Sequence, residues 1–466
     1  MERLKSLFTW QGMLRHHQVE GEMPTNKELY KSTFAIAWPS ALENLLISLI
    51  SAIDMMMVGF LGKEAISAVG IVTQPKFICL APIFAINTSV IVFVARRKGA
   101  NLQHEANDFM KIGLILSTIV TLILCSLSFM FAEELLRFAG AQNDYIEMGV
   151  TYFRILLVSL VPYSIGLTMT AAQRGAGYTK ISMVTNLTAN VVNIIFNFLL
   201  IHGLCGFPAL GVTGAAIATA IGNFVSFFIA LYSITRKNGY LHLNFQGIKD
   251  FINKLKLLVS IMNNALIEQI FLRFGFFSFS KVVAALGTAE FAAHQVCMNV
   301  MQISFALGDG LQVANTSLVG QSLGAKRKDL AIVRTRISQI MGITIAMIIC
   351  FIICYFDSEI VSLFTHDEPV IALAVIPMLM LGITVLFQIP QVIIVGSLRG
   401  AGDVKFVAWM MLLCVGIIRP AFGYLFAYPL GLGLVGAWIG LFLDQITRFI
   451  ISFIRFKTGK WLEIKV

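Results

Sequence analysis

The tetrapeptide RGAG at Arg174–Gly177 returns unchanged at Arg399–Gly402, 225 residues further on. Alone it carries little weight. The same shift, however, lays Glu43-Asn44 on Glu268-Gln269, Leu61-Gly62 on Leu286-Gly287 and Gly99-Ala100 on Gly324-Ala325. Near the end the shift becomes 222, where LGVTGAA from Leu210 meets LGLVGAW from Leu432. One offset held across separate segments is a duplication and not a coincidence of composition.

The duplicated chain is apolar. Of its 466 residues 57% are hydrophobic and 13% charged, and the mean hydropathy is +0.81. Soluble chains carry roughly 25% charge and about 45–50% apolar residues. The balance excludes a soluble enzyme, a disordered chain and a disulfide scaffold. Long apolar runs exclude a β-barrel, whose strands alternate over short segments. Twelve segments are long enough to span, at about 34–60, 72–95, 110–131, 150–172, 182–202, 209–233, 257–282, 294–320, 336–356, 370–396, 404–427 and 432–455, a span needing about 20 residues. The expected fold is an all-α polytopic membrane protein of two six-helix repeats. Its organisation reads as a tail (1–33), an N-half (34–233), a basic linker (234–256), a C-half (257–456) and a second tail (457–466). Six is even, so the repeats are parallel, and transporters built this way place substrate between such halves.

Lys and Arg set the expected orientation. With the N-terminus inside, 27 of them fall on the inner side, in clusters such as Arg96, Arg97 and Lys98, or Lys326, Arg327 and Lys328, and three (Lys63, Arg137, Lys281) fall outside. The positive-inside rule then puts both termini in the cytoplasm. The net charge of +10 reflects these loops and does not call for nucleic acid. Residues 1–33 are polar and show no signal-peptide pattern. Of the seven cysteines only Cys205 sits in a loop; Cys79, Cys125, Cys297, Cys350, Cys354 and Cys414 lie in apolar runs and read as packing residues.

The stretch IDMMMVGFLG around Asp54, the two RGAG loops, NIIFN at Asn193–Asn197, LGVTGAAIAT ending at Thr219 and LGTAEFAAHQV after the seventh span occur in an order that resembles the multidrug and toxic compound extrusion (MATE) family, in its bacterial NorM and DinF-like branch. The resemblance runs from about Phe34 to Phe456. It implies two lobes forming a V around a central cleft, and export of cationic or amphipathic compounds driven by Na⁺ or H⁺ entry. It implies no cofactor beyond the transported ion, the lipid bilayer and small cationic substrates as partners, a monomer, and a location in the bacterial inner membrane.

A charge at mid-membrane costs about 2.5–3.5 kcal/mol on insertion scales, so each one needs a reason. Asp54 lies in the outer half of the first span, where simple hydration at the boundary is the bland alternative. It matches the first-helix carboxylate that the family uses for coupling. Asn193, Asn197 and Thr219 match polar residues that meet it from the fifth and sixth helices. Asn193 and Asn197 are four apart, hence on one helix face. Carboxylate, amide and hydroxyl oxygens are hard ligands that suit Na⁺, and the carboxylate can instead carry a proton. Asn186 and Asn190 share that helix, so a structural hydrogen-bonding role for these amides is the competing reading.

Glu43 and Glu268, repeat equivalents, are cavity or substrate candidates with a structural alternative: bracing helix ends. Gln388, a further cavity or substrate candidate, stands where some relatives carry an acid on the tenth helix, which moves the coupling expectation onto the N-half. Asp444 and Arg448, four apart, are expected to pair. Two further functions compete. A lipid-linked oligosaccharide flippase would need a cationic cavity, whereas Asp54 and Glu268 are acidic. A membrane-embedded enzyme would need a catalytic cluster inside the spans, but the seven histidines (His16, His17, His104, His202, His242, His294, His366) read as lying outside spans or at their ends.

Overall fold

The computed structural model describes residues 8–14, 19–59, 61, 63–204, 206–236, 239–243, 247–365 and 367–464. Cys205, His16, His17, His366, Arg3, Lys5, Arg15, Lys237 and Lys465 lie outside the described residues. Regular structure among the described residues is helical throughout. The long helices are α1 (Asn26–Gly59), α2 (Lys63–Gly99), α3 (Gln103–Met130), α4 (Ile146–Gly175), α5 (Thr179–His202) and α6 (Gly211–Thr235), then α7 (Phe251–Ala284), α8 (Thr288–Gly324), α9 (Lys328–Tyr355), α10 (Glu368–Gly400), α11 (Val404–Ala427) and α12 (Gly433–Lys457).

Among the described residues, eleven of these helices are long and apolar enough to cross a membrane. The remaining one, α8, has 37 residues but carries Gln302, Asp309, Gln312, Asn315 and Gln321. Several of its polar groups are met by α10. Asn315 donates to Ile393 O at 2.9 Å and to Ser397 Oγ at 2.7 Å, and Thr316 donates to Gly396 O at 3.0 Å. A helix whose polar groups find protein partners needs less apolar surface than one facing lipid.

Two compact units divide the chain: Leu42–Asn263, and Met1–Ala41 with Asn264–Val466. In the first, α2, α3 and α4 pack on one another, α6 packs on α4, and α5 on α6. In the second the pattern repeats with six added to each number: α8, α9 and α10 together, α12 on α10, α11 on α12. The packing of these five helices in each unit thus follows the offsets read from the sequence, while α1 and α7 are each divided between the units.

Helix ends repeat too. The RGAG loops end α4 and α10 in the same way. Gly177 and Gly402 both have φ +87°. Tyr178 N–H bonds Gln173 O at 2.9 Å and Asp403 N–H bonds Leu398 O at 2.8 Å, the six-to-one closure that a left-handed glycine permits. The first glycine of each motif serves close packing instead. A Cβ on Gly175 would stand 2.8 Å from Ile91 O, and one on Gly400 would run into Thr316 O. Residues 91 and 316 are again 225 apart. Asn101 and Lys326, at φ 57° and 58°, form a further matched pair after α2 and α8.

The first helix starts at a capping box. Glu28 N–H bonds Thr25 Oγ1 at 3.3 Å while Thr25 N–H bonds Glu28 Oε2 at 2.9 Å. Upstream, a short helix (Trp10–Met13) buries Met13 and Leu14 in the core that holds Leu323, Ile332 and Trp461. The linker between α6 and α7 is tied to α3: Gln103 donates to Tyr240 O at 2.7 Å and Lys254 to Asp108 at 2.7 Å. A π-helical turn, Leu412–Ile418, interrupts α11 just before Pro420. Proline offers no N–H to the carbonyl four residues back and crowds it, and a widened turn relieves both.

Candidate functional site

In the unit Leu42–Asn263, Asp54 sits five residues before the end of α1, half-buried. Asn193 and Asn197, four apart on α5, turn one face toward it, and both are buried. Asn197 Nδ2 donates to Asp54 Oδ1 at 2.9 Å. Asn193, with its amide nitrogen turned to the carboxylate, donates to both Asp54 oxygens at 3.0 Å, and its oxygen accepts from Thr219 N–H at 3.1 Å. Amide orientation is settled by the hydrogen-bond network, since nitrogen and oxygen occupy equivalent positions. Thr219 Oγ1 donates back to Ala215 O at 2.9 Å on its own helix. Asp54, Asn193, Asn197 and Thr219 therefore meet in one place.

The set is a carboxylate ringed by amide groups. The amide nitrogens are placed to donate to the Asp54 carboxylate. The same amides turned over would offer oxygens instead, and carboxylate and amide oxygens within 3.0 Å of each other require a cation or a proton between them. Asn197 Oδ1 is buried and has no hydrogen-bond partner among the described residues, which leaves one hard oxygen uncommitted beside the carboxylate.

Two residues at this site went unassigned in the sequence. Lys76 on α2 and the buried Tyr152 on α4 lie in the electrostatic surroundings of Asp54. Lys76 stands out in sequence only as a charge inside the second span. Nothing marks Tyr152.

The other candidates lie elsewhere. Glu43 is 3% exposed; its Oε1 accepts from Arg174 Nη1 at 3.4 Å, from Ser182 Oγ at 2.8 Å and from Asn186 Nδ2. Glu268 is 1% exposed and accepts from Arg399 Nη2, whose Nη1 donates to Gln312 Oε1 at 2.7 Å. Each glutamate thus pairs with the arginine of its own RGAG loop. Gln388 is buried and accepts from Ser304 Oγ at 3.0 Å, with its Nε2 unpartnered among the described residues. Asp444 takes Arg448 Nη2 at 2.9 Å, as the four-residue spacing predicts, and also Arg419 Nη2 at 2.6 Å. His294 lies inside α8, buried among Phe279, Phe291 and Trp438. The six described cysteines are unbridged.

A duplicated bundle of helices long and apolar enough to cross a membrane, with amides gathered on the Asp54 carboxylate, has the form of a membrane transporter. The MatE family model matches residues 39–199 and again 265–425; the chain belongs to that family. It is 25% identical over 453 residues to the probable multidrug resistance protein NorM of Thermotoga maritima, covering 96% of each chain. It is 26% identical over 439 residues to the uncharacterized transporter YisQ of Bacillus subtilis, covering 93% of this chain and 95% of that one. Its fold matches an outward-facing multidrug resistance MATE family transporter of the MOP superfamily with a TM-score of 0.86 at 21% identity, over 94% of this chain and 97% of the other.

Proposed function

We propose that this transporter is a secondary antiporter that exports cationic or amphipathic compounds in exchange for an entering cation, Na⁺ or H⁺, by alternating access. The observation that carries the reading is the Asp54 carboxylate held by Asn193 and Asn197. The names of the relatives support the drug-efflux part. In this scheme the ion-free state has amide nitrogens on Asp54. Ion entry neutralises the carboxylate and turns those donors away, so the N-half has two arrangements that ion and cargo favour differently. The protein works as a monomer in a bacterial cytoplasmic membrane with both termini inside, an orientation that the basic loops support.

The test is efflux of a cationic dye from vesicles with a Na⁺ or a proton gradient imposed separately. One gradient should drive uphill dye movement. Dye movement indifferent to both would overturn antiport.

A further inference from the structure

The duplication lets the N-half site be compared with its own copy. On the 225 shift that lays Glu43 on Glu268, Asp54 falls on Phe279. On the 222 shift, which also matches Gly211 and Gly433 at φ 54° and 53°, Gly222 falls on Asp444. The helices α5 and α11 match at 225 until the π turn, where i to i+5 bonding takes up one extra residue. Beyond that turn Asn193 corresponds to Arg419. The contacts agree. A Cβ on Gly222 would stand 3.1 Å from Asn193 Cβ, and Asp444, in the position of Gly222, accepts from Arg419 Nε at 2.9 Å and from Nη2 at 2.6 Å.

So the carboxylate has changed helices and the amide has become a guanidinium. Arg419 lies 4.7 Å from the Phe276 ring centroid and 6.0 Å from that of Phe279, a cation on aromatic faces. In the C-half copy Asp444 also has Arg448 beside it, at 2.9 Å. The C-half has a second cation attached to the chain. Arg419, Asp444 and Arg448 are 1%, 0% and 3% exposed, so no solvent ion substitutes for that charge. Asp444 Oδ1 is still unpartnered among the described residues, as Asn197 Oδ1 is in the other half.

We infer that Arg419 is a tethered cation filling the C-half copy of the ion site, with Asp444 as its carboxylate. Asp444 is then a latent binding site for a free guanidinium-type cation. Resting on the antiport reading, the same inference leaves one exchangeable ion site, at Asp54, for each transport cycle.

The experiment is chemical rescue. Arg419→Ala in the full chain, purified in detergent, should show a lowered Tm that low-millimolar methylguanidinium raises by at least half of the loss, while the unsubstituted protein does not respond. Arg419→Ala/Asp444→Asn should not be rescued. No response of Arg419→Ala, or an equal response of the double variant, overturns the latent site. Should Arg419→Ala not fold, Arg419→Lys, which keeps a tethered cation, must fold if the inference holds, and its failure to do so counts against it. Ion stoichiometry gives an independent reading on the unsubstituted protein. Reversal measurements should return one coupling ion per cargo molecule, and two would overturn the single-site claim. Rescue at Asp444 together with unimpaired coupling in Asp54→Asn would reject the antiport site and leave the tethered cation standing.

Discussion

Arg399 donates to the buried carboxylate of Glu268, across the 131 residues that also separate Arg174 from Glu43. Three of the four residues of the RGAG motif are thereby explained. Its arginine neutralises a glutamate on the first helix of the same half. Its first glycine admits a neighbouring helix backbone, and its last takes a left-handed turn. An interaction kept in both copies belongs to the scaffold. Asp54, the proposed coupling residue, has Phe279 at its repeat position and is not kept in both copies.

The paired charges should therefore behave as structure. Arg399→Met leaves Glu268 buried and unpaired, which costs about 3–5 kcal/mol, and adding Glu268→Gln should restore most of that loss. Arg174→Met should cost less, because Ser182 and Asn186 still donate to Glu43. Thermal unfolding in detergent checks the order; equal losses for the two arginines would contradict it.

Asp54→Asn preserves size and removes charge, so folding and membrane insertion should survive while gradient-driven efflux falls to background. Asn197→Ala removes one donor from a carboxylate and should cost about 1–3 kcal/mol of interaction at that group, read as a shift in the ion concentration that gives half-maximal transport. Near-normal coupling in Asp54→Asn would move the site elsewhere.

Gly177→Ala and Gly402→Ala force a Cβ into the left-handed region and should each lose about 1–2 kcal/mol. Gly175→Ala should lose more, since its Cβ meets Ile91 O at 2.8 Å. The converse change, Lys326→Gly at φ 58°, relieves strain and should gain about 0.5–1 kcal/mol. Tm shifts of these signs are the measurement.

Reporter fusions at the linker near Lys249 and after Arg455 should report the cytoplasm, and a cysteine placed beside Arg137 should react with impermeant reagents from outside. Activity of either fusion on the outer side would reverse the proposed orientation.

Sequence alone determined the all-helical membrane class, the twelve long segments and the duplication, because apolar length, charge bias and repeat offset are properties of the chain itself. It also nominated Asp54, Asn193, Asn197 and Thr219 through family likeness. Only tertiary structure decided what each buried charge faces. The partners of Glu43 and Glu268 lie 131 residues away, although the equal spacing of the two pairs was a signal available in the chain. Asn197 reaches Asp54 from another helix at 2.9 Å, and spacing along one helix says nothing about that. Arg419 corresponds to Asn193 only because a π turn before Pro420 shifts α11 by a residue, and a one-residue change of helical register alters which side chain meets the neighbouring helix.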